Sequence, residues 1–242
     1  MGGMTHPALL AISHGTADPA GQAAVAALVD AVAARLPEVT VRLGHVDVQQ
    51  PDVAASLAAL PPGAPIVLVP LLLSAGYHVH VDLAEATAAH PNVVIAPALG
   101  PDERLADALA ARLAALDDAP TEAAVVLAVA GSSDRRANDD CRTVADMLSE
   151  RLGRSVAVGF LAAAEPRLDA AVAAAAAGGA SVVVADYLLA PGYFHNLAVR
   201  MAAGAPVARP LLDHDDPAAA LVDLVVDRYR TAAASTGAPA TL

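Results

Sequence analysis

Lysine is absent from the chain; all 14 basic residues are arginine. That excludes a Schiff-base lysine and a glycine-rich phosphate loop ending in lysine. Tryptophan is absent too, and aromatic residues make up 2% of the sequence, which argues against a deep aromatic-lined cofactor pocket. The single cysteine, Cys141, allows no internal disulfide and fits a reducing, cytoplasmic compartment. Positive charge is scarce: a net charge of -12 argues against a nucleic-acid partner, which needs a basic footprint. No basic segment followed by a long apolar one opens the chain, so no secretory signal is read. The uncharged stretch 170–185 is broken by Gly178-Gly179 and is shorter than the ~20 residues of a membrane helix, so no membrane partner is expected.

The sequence does contain a regular alternation of short apolar runs and helical segments. Ala8–Ile12 reads as a buried first strand, followed by the turn-rich Ser13–Pro19 and a helix from about Gly21 to Leu36, ended by Pro37. Val39–Asp47, Ile66–Leu73 and Asn92–Ala96 read as three further strands, with helices between them and a fourth helix running to about Leu116. Such alternation implies a parallel sheet covered on both faces.

After Asp117–Thr121, which reads as a linker, the pattern repeats. Val125–Asp134, Val156–Leu161, Val182–His195 and Val207–Asp213 mirror the four earlier strands and their loops at an offset of about 115 residues. Pro166 matches Pro51, and Gly192-Tyr193 matches Gly76-Tyr77. The expected fold is therefore α/β: two similar domains from an internal duplication, 1–120 and 121–242, each a small parallel sheet flanked by helices. Residues past about Tyr229 read as a disordered tail.

The two halves differ in polar residues. His14 aligns with Ala130, Asp47 with Ala162 and His78 with Phe194. His14 and His78 both follow strands, where open α/β sheets place ligand sites. Two imidazoles at adjacent strand ends suit a shared divalent metal. Asp47 is a third ligand or a proton acceptor. All three belong to the first half, so the metal site is expected there, with the second half as the opposite wall of a cleft. His80 is the weaker ligand candidate, and Asp82 suits a carboxylate that orients His78. His45, His90 and His214 read as structural or exposed. Around the cleft, Gly15, Thr16, Ser132 and Ser133 precede helices, where backbone N–H groups bind carboxylates. Arg135 and Arg200 suit bidentate contacts to acidic groups, and Tyr77 and His195 suit substrate contacts.

Ser13-His-Gly-Thr16, Gly44-His-Val-Asp47 followed by Gln-Gln-Pro51, and Leu73-Ser-Ala-Gly-Tyr-His-Val-His-Val-Asp82 resemble the sirohydrochlorin chelatases of the CbiX/SirB type. Gly159–Pro166 and Leu189–His195 extend the resemblance to the second half, so that it covers about Ala8 to Tyr229. The resemblance implies two chelatase domains facing a cleft, with His14 and His78 delivering metal and removing protons, and sirohydrochlorin as the partner. Asp47 stands where that family usually carries Glu, and Gln49-Gln50 replaces a more usual acidic run.

The implied reaction is insertion of Fe²⁺ or Co²⁺, with Ni²⁺ as a further candidate, on the way to siroheme or cobalamin. The metal is then a substrate, and no tightly bound cofactor is expected. Insertion releases the two inner N–H protons of the macrocycle, and an imidazole with a pKa near ~6.5 suits their removal. Two other readings stay open. A histidine phosphatase would carry Arg before His-Gly, where this chain has Ser13. A metal or tetrapyrrole carrier would bind without turnover.

Overall fold

The computed structural model describes residues 6–74, 83–117, 120 and 122–235. In the first half, β1 (Ala8–Ser13) lies between β2 (Val41–His45) and β3 (Ile66–Pro70), and β4 (Val93–Ile95) joins β3 at the edge; all pairings are parallel. Every residue of β1 and β3 is buried, which is why both read as unbroken apolar runs rather than alternating ones.

The connecting helices start where the sequence supplies a side-chain cap. Asp18 accepts from the amides of Ala20 and Gly21 to open α1 (Pro19–Arg35), and Pro19 sits in the first turn, where its missing N–H costs nothing. Asp52 opens α2 (Val53–Ala58) in the same way. Residues 83–87 form α3, and Asp102 caps α4 (Glu103–Ala114).

The second half repeats this plan. β5 (Ala124–Val129) lies between β6 (Val156–Phe160) and β7 (Val182–Tyr187), again in parallel. Its helices are α5 (Arg135–Leu152), α6 (Leu168–Ala175) and α7 (Tyr193–Met201), and α8 (Ala219–Ser235) ends the described chain.

Two sequence expectations are corrected here. The fourth strand of the second half is reduced to a single parallel bridge, Val184 to Val207. The amide of Ala208 donates to the carbonyl of Val184, but the next amide due on that side belongs to Pro210, which has none. The chain beyond Tyr229 is also helical as far as Ser235, not a loose tail. Leu221, Val222, Leu224, Val225, Val226, Tyr229 and Ala232 form the buried stripe of α8, and the Tyr229 hydroxyl donates to the carbonyl of Pro7 at 2.7 Å.

The packing does not follow chain order. Helix α8 lies against α1, β3 and β4 of the first half, whereas α4 lies against α5 and β7 of the second. The largest buried apolar cluster accordingly contains residues of both halves, from Leu9 and Val69 through Leu105 and Leu109 to Leu127 and Tyr187. Ion pairs follow the same exchange: Arg151 of α5 meets Asp107 of α4, and Arg104 of α4 meets Asp227 of α8.

Candidate functional site

At the carboxyl ends of β1 and β2 the two following loops are pressed together. Gly15 has φ +95°, and a Cβ there would lie 2.0 Å from the carbonyl oxygen of Asp47. Only glycine allows both the conformation and the approach. The contact is fastened by Val46 N–H to the Ser13 carbonyl, Asp47 N–H to the His14 carbonyl, and Thr16 N–H to the Gln49 side chain at 2.8 Å. Beneath it, Ser13 Oγ and His45 Nδ1 are 2.8 Å apart and buried, and burial lowers the His45 pKa, which keeps that imidazole neutral. His45 is thus structural, as the sequence reading has it, and His14 is left exposed at the loop's face.

The second half reproduces the frame without the polar groups. Gly131 has φ +84°, and its Cβ would lie 2.0 Å from the carbonyl of Ala162. Val48 and Ala163, next to Asp47 and Ala162, both take positive φ.

Between the two halves lies a cleft of about 570 Å³, within the range of small-molecule sites. Its first-half wall includes His14, Gly15, Thr16, Val48 and 71–74, and its second-half wall includes 130–132, Cys141 and 187–194. Close approaches hold the walls. A Cβ on Gly21 of α1 would lie 2.2 Å from the Pro191 carbonyl, and Tyr187 donates its hydroxyl to the Leu73 carbonyl at 2.8 Å.

The cleft brings together four of the expected site residues, His14, Gly15, Thr16 and Ser132. Asp47 is adjacent through its backbone, but its exposed carboxylate turns back to accept from Val48 N–H at 2.7 Å and is not part of the cleft wall. The expectation of free loop amides is corrected at two positions. The Thr16 amide is taken by Gln49, and the Ser132 amide is taken by Asn138 Oδ1 at 2.9 Å. Ser133 and Arg135 are exposed and lie outside the wall. Arg200 is exposed, with its guanidinium 6.0 Å from the centre of the Tyr193 ring. His195 turns away from the wall: its Nδ1 is 2.6 Å from Asp186 Oδ2. Tyr77, His78, His80 and Asp82 lie outside the described residues.

Sequence reasoning passed over several residues that the fold brings to the cleft. Tyr187, Tyr193 and Phe194 all line it, in a chain with four tyrosines and two phenylalanines. Cys141 lines it too, but burial pushes its thiol up to about 11, so it is protonated and a poor metal ligand at neutral pH. Asp186 is the other omission, and it left a signal: it is the one charged residue in a strand buried along its whole length. The bond to Asp186 raises the pKa of His195, while burial raises that of Asp186 against the opposing effect of the same bond.

Among the described residues, one group has metal-ligand spacing, Asp213, His214 and Asp215, on the loop before α8. Arg112 and Arg209 already pair with Asp213, and Arg209 also pairs with Asp215. Among the described residues no helix is long and apolar enough to cross a membrane.

In fold the chain is similar to SirB from Bacillus subtilis with Fe³⁺, at 23% identity and a TM-score of 0.80, over 96% of this chain and 97% of that one. It is also similar to the sirohydrochlorin chelatase SirB from Bacillus subtilis subspecies spizizenii in complex with cobalt, at 20% identity and a TM-score of 0.76, over 95% and 96% of the two chains. A third likeness is to CbiX, described as the terminal enzyme for biosynthesis of siroheme in denitrifying bacteria, at 20% identity and a TM-score of 0.65, over 93% of this chain and 99% of that one. No curated protein matches the sequence. The model of the CbiX family matches twice, over residues 8–116 and again over 124–231, one match for each half of the duplicated architecture, and the chain therefore belongs to the CbiX family.

Proposed function

We propose that this protein inserts a divalent metal ion, Fe²⁺ or Co²⁺, into sirohydrochlorin, as a step toward siroheme or cobalamin in the cytoplasm. The observation that carries the reading is the cleft between two CbiX-type halves with an imidazole on one side: His14 lines the first-half wall, and its equivalent on the second half is Ala130. The SirB structures that share this fold hold iron and cobalt, which agrees with a metal that enters as substrate. The sequence halves 1–120 and 121–242 are then the two repeat units, each lending a helix to the other's packing.

In this reading His14, with His78, brings the metal to one face of the macrocycle and takes protons from the inner N–H groups. One imidazole cannot hold the ion and stay free for a proton, so the two act as a unit. Asp47, whose carboxylate lies beside the His14 loop but outside the wall, accepts protons through solvent rather than holding metal. The substrate carboxylates extend from the cleft toward Ser133, Arg135 and Arg200, since the Thr16 and Ser132 amides are already occupied. Tyr77 adds a contact from the first half.

Anaerobic absorbance of the purified protein with sirohydrochlorin and each metal in turn tests the proposal. The expected result is metal insertion faster than the spontaneous rate. Tight stoichiometric binding without that acceleration would make the protein a carrier instead.

A further inference from the structure

The start of α7 is weakly held by its own sequence. Gly192 stands at the cap position and offers no side-chain cap bond, and Ala198 is the sole buried residue in the nine-residue helix. Yet this turn carries two aromatic rings into the cleft. Tyr193 and Phe194 line it while remaining 68% and 39% exposed, and they meet edge to face with centroids 5.5 Å apart. Exposed rings on an uncapped turn need a tether if they are to present a fixed surface.

The tether is the next residue. His195 Nδ1 reaches Asp186 Oδ2 at 2.6 Å, and Asp186 is 0% exposed near the carboxyl end of β7. Its second oxygen, Oδ1, has no partner among the described residues. A buried carboxyl with one bond is costly, and packing alone would favour an apolar side chain there. In the first half the matching strand position is Pro70, since Pro70 pairs with Ile12 as Asp186 pairs with Ala128. The carboxyl is therefore not required by the sheet. We propose that Asp186 and His195 are positioning residues that seat the first turn of α7, so that Tyr193 and Phe194 form a rigid aromatic wall against the flat face of the tetrapyrrole. The substrate part of this inference rests on the chelatase reading; the tether does not.

The test combines amide hydrogen exchange of peptides spanning 190–198 with the Kd for metal-free sirohydrochlorin and the separate measurement of KM and kcat. In His195→Leu the turn should exchange about tenfold faster, and Kd and KM should rise about tenfold with a smaller change in kcat. His195→Asn places an amide N–H where Nδ1 stood, so it should restore slow exchange and most of the affinity. Phe194→Ala, a change at an exposed ring that spares the fold, should weaken binding by itself. Its effect should be less than additive with His195→Leu, because both act through the same wall. Unchanged exchange in His195→Leu overturns the tether. An Asn variant as weak as the Leu variant overturns it as well, since the imidazole would then act through Nε2. If the wild-type protein binds no sirohydrochlorin, the chelatase reading fails, and exchange alone decides whether Asp186 and His195 hold the turn.

Discussion

The two halves share a backbone and differ in chemistry. Each has a glycine of positive φ after its first strand, pressed so close to the loop after its second that a Cβ there would lie 2.0 Å from a carbonyl oxygen, so the geometry is a property of the repeat. What differs is which side chains ride on it. The first half places His14 and Asp47 where the second places Ala130 and Ala162. The second half has polar groups of its own elsewhere: Asp186, at a strand position where the first carries proline, and His195, in the first turn of α7. The comparison separates the frame, which both copies keep, from the imidazole of His14 and the carboxylate of Asp47, which one copy carries.

The largest test of that separation is His14→Ala set beside Ala130→His. On the proposed roles for His14, its loss should cut enzymatic insertion roughly 100-fold or more after subtraction of the spontaneous rate. Ala130→His in the His14→Ala background should not restore it, since the partner groups stand on the other wall. Recovery above about a tenth of wild-type activity would show the halves to be chemically interchangeable. Asp47→Ala should cost less than His14→Ala, because its carboxylate lies outside the cleft wall.

The frame is tested by Gly15→Ala and Gly131→Ala. Each puts a Cβ into a carbonyl at positive φ, and each should destabilise by about 1–3 kcal/mol or more in urea unfolding. Similar losses are expected in the two halves; a loss at one glycine alone would break the equivalence of the loops. Tyr187→Phe should cost about 1 kcal/mol by removing the bond to the Leu73 carbonyl that ties the halves together. Because the apolar core runs through both halves, one cooperative transition should persist in all three variants.

The smallest effect expected is on pH dependence, where the halves oppose each other. His45 has a lowered pKa, so the unfolded chain binds its proton more readily; its contribution to stability is present above about pH 6.5 and is lost as pH falls. His195 has a raised pKa, so its contribution is full below about pH 6.5 and is lost as pH rises through the folded value. Melting temperatures from pH 5 to 9 should therefore show His45→Gln reducing the loss on the acid side and His195→Asn reducing the loss on the alkaline side. The opposite assignment would refute the burial argument for His45 and the pairing argument for His195.

Much of this architecture was legible in the sequence because it is local. Strands buried on both faces read as apolar runs, Asp18, Asp52 and Asp102 stand at helix starts, and the repeat is visible as matching segments. That His14 lines the cleft was legible because His14 and His78 stand after strands of one half whose copies carry Ala130 and Phe194. The edge pairing at Val207 was misjudged because Pro210, three residues later, withholds the amide on which the ladder depends. The tail beyond Tyr229 was misjudged because its alanines show weak periodicity, and the hold on Pro7 comes from the far end of the chain.

The sequence by itself determined the fold class, the duplication and the asymmetry between His14 and Ala130, since strand propensity, turn residues and side-chain identity are all encoded within a few residues. Only the tertiary structure decided what each group faces. It turned the Asp47 carboxylate onto its own loop, filled the Thr16 and Ser132 amides with Gln49 and Asn138, and drew Tyr187, Tyr193 and Phe194 to one cleft. It also laid α8 on the first sheet and α4 against the second half. Apart from the local bonds at Asp47 and Ser132, these outcomes depend on groups that meet across tens to hundreds of residues, and their energy comes from burial and hydrogen bonding in the packed chain rather than from any preference of the local sequence.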